Sequence, residues 1–330
     1  MQVSSNHHLI PRVYLSSWIR SGNTIYSIDK ENSKEVPHNI ENICKINDYH
    51  SIKAGMPCCN EEELKEIFKI LSDYEVICNN IKIKKYEEYN KYYYDFEKWS
   101  IYKKDGNLAP KKMIKREIDK VKIVTIEDLW NKKYENKWKQ SLEMMEQRIL
   151  NSNGYEIDEF LKAFWVKFII SMDSRGFIGN KDIKGALNTF NNYISLDEID
   201  IPFEERIKPF MDNASKEIEN NILLAEFRDF LNDKGRLYAR AKEYINGINL
   251  QFIVANGKEK FLTSDDPSFF YKEENFYTHI MPITPYILIR FCKLDDKYRN
   301  KYPISRVNDK IVKTYNKVII DNSYKYYFKY

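Results

Sequence analysis

The sequence predicts an α+β protein: a mixed or antiparallel sheet from N- and C-terminal segments with a large helical middle. Three observations predict it. Short alternating segments bounded by turn residues lie near both ends of the chain, stripes at helical spacing fill the middle, and no internal repeat or low-complexity linker divides them. The 330 residues are therefore read as a single domain, 1–330, with no clean boundary: N-terminal strands in 1–55, a helical middle in 60–235, and C-terminal strands and a last helix in 236–330.

In chain order, Gly22-Asn23 makes a turn before the strand NTIYSIDK, where Ile25 and Ser27 alternate with Tyr26 and Ile28. Asn60 caps a helix whose first turn, Glu61-Glu62-Glu63, suits the positive end of the helix dipole, and Leu64, Ile67, Phe68, Leu71 and Cys78 form its stripe. Tyr86, Tyr89, Tyr93 and Phe96 then share a helical face among Lys85, Lys91 and Lys98. Such a face can stack on bases with lysines on phosphates, or it can be core with solvated lysines. Interspersed Glu87, Glu88, Asp95 and Glu97 favour core. Gly106 and Pro110 break the segment.

A long helix starts at Thr125, with Asp128 at the capping-box position and Ile126, Trp130, Tyr134, Trp138, Leu142, Met145 and Ile149 on one face until Gly154. A buried helix from about Glu156 to Arg175 stops at Gly176, and two more are expected near 182–194 and 209–232, punctuated by Pro202 and Pro209. After Gly235 come the strand INLQFIVA, an Asn256-Gly257 hairpin turn, its return strand KFLTS and the strand PYILIRF. Ser305 caps a final helix with Val307, Ile311, Val312, Tyr315 and Ile319 buried.

Bulk properties exclude more than they assign. A 43% hydrophobic content supports a real core, and 53 basic against 49 acidic side chains, net +4, is too mild to imply a polyanion partner. The 25 tyrosines accompany much Lys, Ile and Asn, a mix that AT-rich coding also produces. No secretory signal is visible, and FLKAFWVKFIISM, interrupted by Lys162 and Lys167, is shorter than the ~20 residues of a spanning helix, so no membrane partner is expected. Five cysteines without paired spacing read as reduced thiols of a cytoplasmic protein. There is no Gly-x-Ser-x-Gly elbow and no glycine-rich phosphate loop.

Two stretches could carry chemistry. SSNHHLIPRVYL sets His7 beside His8 just before a proline. In FLTSDDPSFFY a strand ends at Thr263-Ser264 and Asp265 and Asp266 follow, placed either to hold a cation or simply to make the turn.

HLIPRVYL, followed by the glycine-led strand IYSIDK, resembles the opening of the bacterial domain-of-unknown-function family 4238, roughly His-x-x-Pro-x-x-Tyr-Leu. FLTSDDP is similar to its Thr-Ser-Asp-x-Pro, MPITPYILI to its Pro-Leu-Ser-Pro strand, and Ser174-Arg175 and Asn316 fall on matching helices, in the right order over nearly the whole chain. The resemblance implies His8 rather than His7 as the matching histidine, leaving His7 as an exposed neighbour, and Asp265 as the matching acid, with Asp266 where the family often has an amide. It adds Arg175 and Asn316 as polar positions at helix ends.

A histidine, acids and an arginine suit phosphodiester chemistry. His8, Asp265 and Arg175 are then the catalytic candidates, Asp265 and Asp266 the ligands of Mg²⁺ or Mn²⁺, with Asn316 and Glu146 (or Glu143) in support. His38, His50 and His279 have no ligand-like spacing to one another, although His279 could approach the same site. The functional expectation is a metal-dependent nuclease of a bacterial defence or toxin-like system acting on nucleic acid, its oligomeric state open. The competing expectation is a non-catalytic binding module whose Tyr/Lys-rich surface meets a protein or nucleic-acid partner, with His8, Asp265 and an Arg175–Asp265 pair structural.

Overall fold

A computed structural model describes residues 6–151, 159–175, 181–191, 193–273, 276–293 and 302–330. Gly154, Glu156 and Gly176, expected at helix ends, lie outside the described residues. The chain is α+β and divides into two compact units, each assembled from separate segments: Met1–His7, Asn47–Asp128 and Asp182–Arg228 form the first, and His8–Ile46, Leu129–Lys181 and Asp229–Tyr330 the second. No helix among the described residues is long and apolar enough to cross a membrane.

The second unit holds a sheet from both ends of the chain. Strand Thr24–Asp29 pairs with Glu35–Asn39 on one side and with the C-terminal Tyr326–Lys329 on the other, and Tyr326–Lys329 continues to Thr263–Ser264, all antiparallel. A five-stranded sheet lies wholly in the C-terminal part, with Ile248–Ala255 antiparallel to Ile287–Lys293 and parallel to Ile304–Val307. Ile253, Phe261, Phe269, Ile280, Leu288, Val312 and Ile319 form one buried cluster between strands and the last helix, Asp309–Asn322. Helix Glu159–Arg175 is buried on most of its circumference, and its Trp165 and Phe168 pack on Trp138 at 5.3 and 4.8 Å.

Two turn expectations fail here. Asn256-Gly257 makes no hairpin, because a type I′ turn needs positive φ at both central residues and neither has it. Asn256 N–H instead bonds Val307 O, and a Cβ at Gly257 would stand 2.0 Å from Asp309 Oδ1. The glycine is needed for close approach to the last helix. That helix is capped by Asn308, which accepts from Ile311 N, whereas Ser305 lies within the parallel strand and Ile311 is exposed.

In the first unit Asn60 caps Glu61–Ile67 in a full capping box with Glu63, and Leu64, Ile67, Phe68 and Leu71 are buried as read. The helical middle nevertheless contains a three-stranded sheet: Tyr74–Cys78 pairs with Ile81–Ile83 and with Trp99–Lys103. Asn79 and Asn80, at φ 48° and 64°, supply the tight turn. Cys78 is thus a strand residue. The tyrosine segment is a single short helix, Tyr86–Lys91, followed by a tighter turn, and its rings pack inward: Tyr89 on Phe68 at 5.8 Å, Phe96 on Trp99 at 4.7 Å. Its core reading holds for Tyr89 and Phe96, which are buried, while Tyr86 and Tyr93 are half-buried.

Candidate metal centre

Three distant segments of the first unit bring together His7, His50 and Glu127. One ligand atom from each lies within 4.8 Å of the others. His7 sits on the strand Asn6–His8, His50 follows the strand Lys45–Asn47, and Glu127 occupies the first turn of helix Thr125–Trp130. Reciprocal main-chain bonds between Ile52 and Ile123, both 2.9 Å, tie the turn of His50 to the approach of that helix.

His50 is held from several sides. Its backbone N–H donates to His7 Nδ1 at 2.8 Å, and its own Nδ1 hydrogen-bonds Glu127 Oε1. The two imidazoles stack at 5.7 Å, 10° from parallel, and Tyr49 and Phe227 close on the His50 ring. Lys208 Nζ donates to Tyr49 O at 3.0 Å and to Asn220 Oδ1 at 2.7 Å, and Asn220 Nδ2 donates to the same carbonyl. Burial pulls the Lys208 ammonium down to about 7. Asp48, at φ 58°, starts the turn and receives Lys122 and Lys53. Burial pushes its carboxyl up, but the bonds and charge of these two lysines outweigh that and hold it below the ordinary value. The His50 side chain is 0% exposed and the Glu127 side chain 16%, so the carboxylate is the more solvent-accessible of the two.

Two imidazoles and a carboxylate are the donor set of many zinc and iron centres, with coordination positions left open. His7 Nδ1 already accepts an amide proton, so the neutral ring carries its hydrogen on Nε2. A metal needs an unprotonated ligating nitrogen on each imidazole and an ionised Glu127, so binding tightens as pH rises.

This corrects the sequence reading of His7, which is buried at 3% exposure rather than exposed, and adds His50, whose ligand-like neighbours lie in space rather than among the other histidines. Nothing local connects positions 7, 50 and 127.

The residues expected to carry chemistry lie in the second unit and bond chiefly to main chain. Asp265 Oδ1 accepts from Tyr324 N, and Oδ2 from Lys325 N and Tyr326 N, each at 2.8 Å. Burial raises the Asp265 carboxyl pKa even against these amides. Arg175 donates to His8 O at 2.7 Å and to Leu9 O at 3.2 Å, and its guanidinium lies 4.4 Å over the Trp130 ring. His8 donates from Nδ1 to Ile43 O when that nitrogen is protonated, and burial with the nearby Arg12 charge pulls its pKa to about 4. Asn316 bridges Leu262 N and Lys260 O. Tyr14 donates to Pro282 O and so accepts from Thr263 Oγ1. Asp266 is buried with its amide on Ser264 Oγ. Glu146 is half-buried on the helix Asn136–Asn151, its carboxyl raised by burial and by Glu143. His279 is enclosed by Phe270, Tyr244 and Phe291.

The five cysteines are free thiols, and burial raises Cys58 to about 11. No curated protein and no solved structure matches the chain. A family model does, over residues 6–329, and by that match the chain belongs to the family described as Protein of unknown function (DUF4238).

Proposed function

We propose that this chain is a metal-dependent hydrolase whose ion is held by His7, His50 and Glu127, with phosphodiesters as the substrate class. The observation that carries the reading is the meeting of two buried imidazoles and a carboxylate within 4.8 Å. A divalent ion bound there would activate a water and polarise a phosphoryl oxygen. The chain's own part is to fix the ligands: Lys208 and Asn220 hold the carbonyl preceding His50, and the Ile52–Ile123 bridge sets Glu127 against it. His8, Arg175, Asp265 and Asn316 are, in this reading, architectural.

The test is cleavage of labelled RNA and DNA by purified protein with Mn²⁺, Zn²⁺ or Mg²⁺, and with EDTA, beside folded His50→Ala and Glu127→Gln. The expected result is metal-dependent cleavage reduced at least ~100-fold in both variants. Cleavage that survives EDTA, or that both variants retain, contradicts the site. No cleavage by any form favours the non-catalytic binding module.

A further inference from the structure

A groove of about 860 Å³ opens over the three-stranded sheet of the first unit. The strand register sets its character. Val76, Ile83 and Ile101 are cross-strand neighbours and buried, so Glu75, Ile77, Lys82 and Tyr102 point to the opposite, solvent face. Tyr74 and its cross-strand partner Lys103 stand at the strand ends in the register of Val76 and Ile101, and with Tyr86, at the start of the helix Tyr86–Lys91, they meet Tyr102 only along the lining of the groove, which thus carries three half-buried rings. Tyr86 is braced edge-on by buried Tyr89 at 6.1 Å. None of the three hydroxyls makes a hydrogen bond among the described residues, so ring face and polar tip are both available to a ligand.

Charge narrows the ligand. Four lysines and two carboxylates line the groove; Lys82 pairs with Glu75 at 2.5 Å and Lys104 with Asp73 at 2.6 Å. Lys84 and Lys103 make no ion pair among the described residues, and both are exposed. Two exposed ammonium groups outside ion-pair distance of their nearest acids, Glu88 for Lys84 and Asp105 for Lys103, stand beside three rings and suit an anion that is also flat and aromatic. We propose that this groove binds single-stranded nucleic acid, its bases stacked on Tyr74, Tyr86 and Tyr102 and its phosphates on Lys84 and Lys103. Tyr89 and Phe96 take no part because they belong to the core beneath.

The inference is independent of the metal centre, so binding is measured in EDTA, where loss of hydrolysis cannot mask it. Fluorescence anisotropy of labelled oligouridine and oligothymidine is followed as salt is raised, with a duplex as comparison. Wild type should bind at least one of the single strands more tightly than the duplex. The double variant Lys84→Glu/Lys103→Glu should weaken binding at least tenfold and flatten the log–log salt slope by about 1.4, the release from two phosphates. Tyr102→Ala, on the solvent face and checked for folding by circular dichroism, should weaken binding roughly five- to a hundredfold. Failure of wild type to bind either strand overturns the proposal, as does unchanged binding by both variants; an absence of binding would turn attention to a protein partner.

Discussion

The two units carry polar networks of opposite construction. In the second, three of the side chains singled out by motif meet main chain: Asp265 takes three amides, Arg175 caps two carbonyls, and Asn316 joins an amide and a carbonyl. In the first, side chains also meet side chains, His50 on Glu127 and Lys208 on Asn220, beside the main-chain bonds that His7, Lys208 and Asn220 make. A carboxylate with three amides on it has given up most of its lone pairs and holds loops together. A carboxylate facing an imidazole can exchange its proton partner for a metal. The lesson is that partner type, more than residue type, separates architecture from chemistry here.

Four perturbations break or sharpen that contrast. The largest effect belongs to Asp265→Ala, which removes the acceptor of three part-buried amide bonds; a loss of about 4 kcal/mol is expected, read as a lower urea midpoint or insoluble protein. A folded variant of near-native stability would place Asp265 outside the architecture. Arg175→Met leaves the His8 and Leu9 carbonyls without that guanidinium and should cost about 3 kcal/mol by the same assay.

The first unit should answer pH instead. Lys208 titrates near 7 in the folded chain, well below the ordinary lysine value. Above pH 7 the unfolded chain therefore binds more protons than the folded one, and stability rises with pH until the unfolded lysine titrates. The contribution is lost as pH falls through 7. Between pH 7 and 9 wild type should gain about 2 kcal/mol that Lys208→Met does not; parallel curves for the two proteins would refute this. The smallest change is Glu127→Gln, expected to alter stability by about 1 kcal/mol or less. A loss as large as that of Asp265→Ala would make Glu127 architecture too.

The fold class was legible where a local pattern suffices. Thr24–Asp29, Ile248–Ala255 and Ile287–Lys293 announce themselves by β-rich runs between turn residues, and Glu159–Arg175 by an apolar surface all round. Asn60 was readable as a cap because its partner Glu63 is three residues away. What failed depended on partners elsewhere in the chain. Asn256-Gly257 looks like a hairpin until Asp309 is seen against the glycine, whereas the working tight turn is Asn79-Asn80, inside a segment read as helical. The resemblance to the family directed attention to His8 and Asp265. The neighbouring His7 became interesting only once folding had brought up residues 43 and 120 positions away, a distance no spacing rule spans.

The most direct test of the account is metal stoichiometry, by mass spectrometry of purified protein and titration with Zn²⁺ and Mn²⁺ at pH 6 and pH 8. One ion per chain is expected, held more tightly at pH 8, with affinity reduced at least ~100-fold in His50→Ala and in Glu127→Gln and unaffected in His8→Asn. Wild-type protein that takes up no ion, or variants that bind as well as wild type, would contradict it and make the histidine cluster structural.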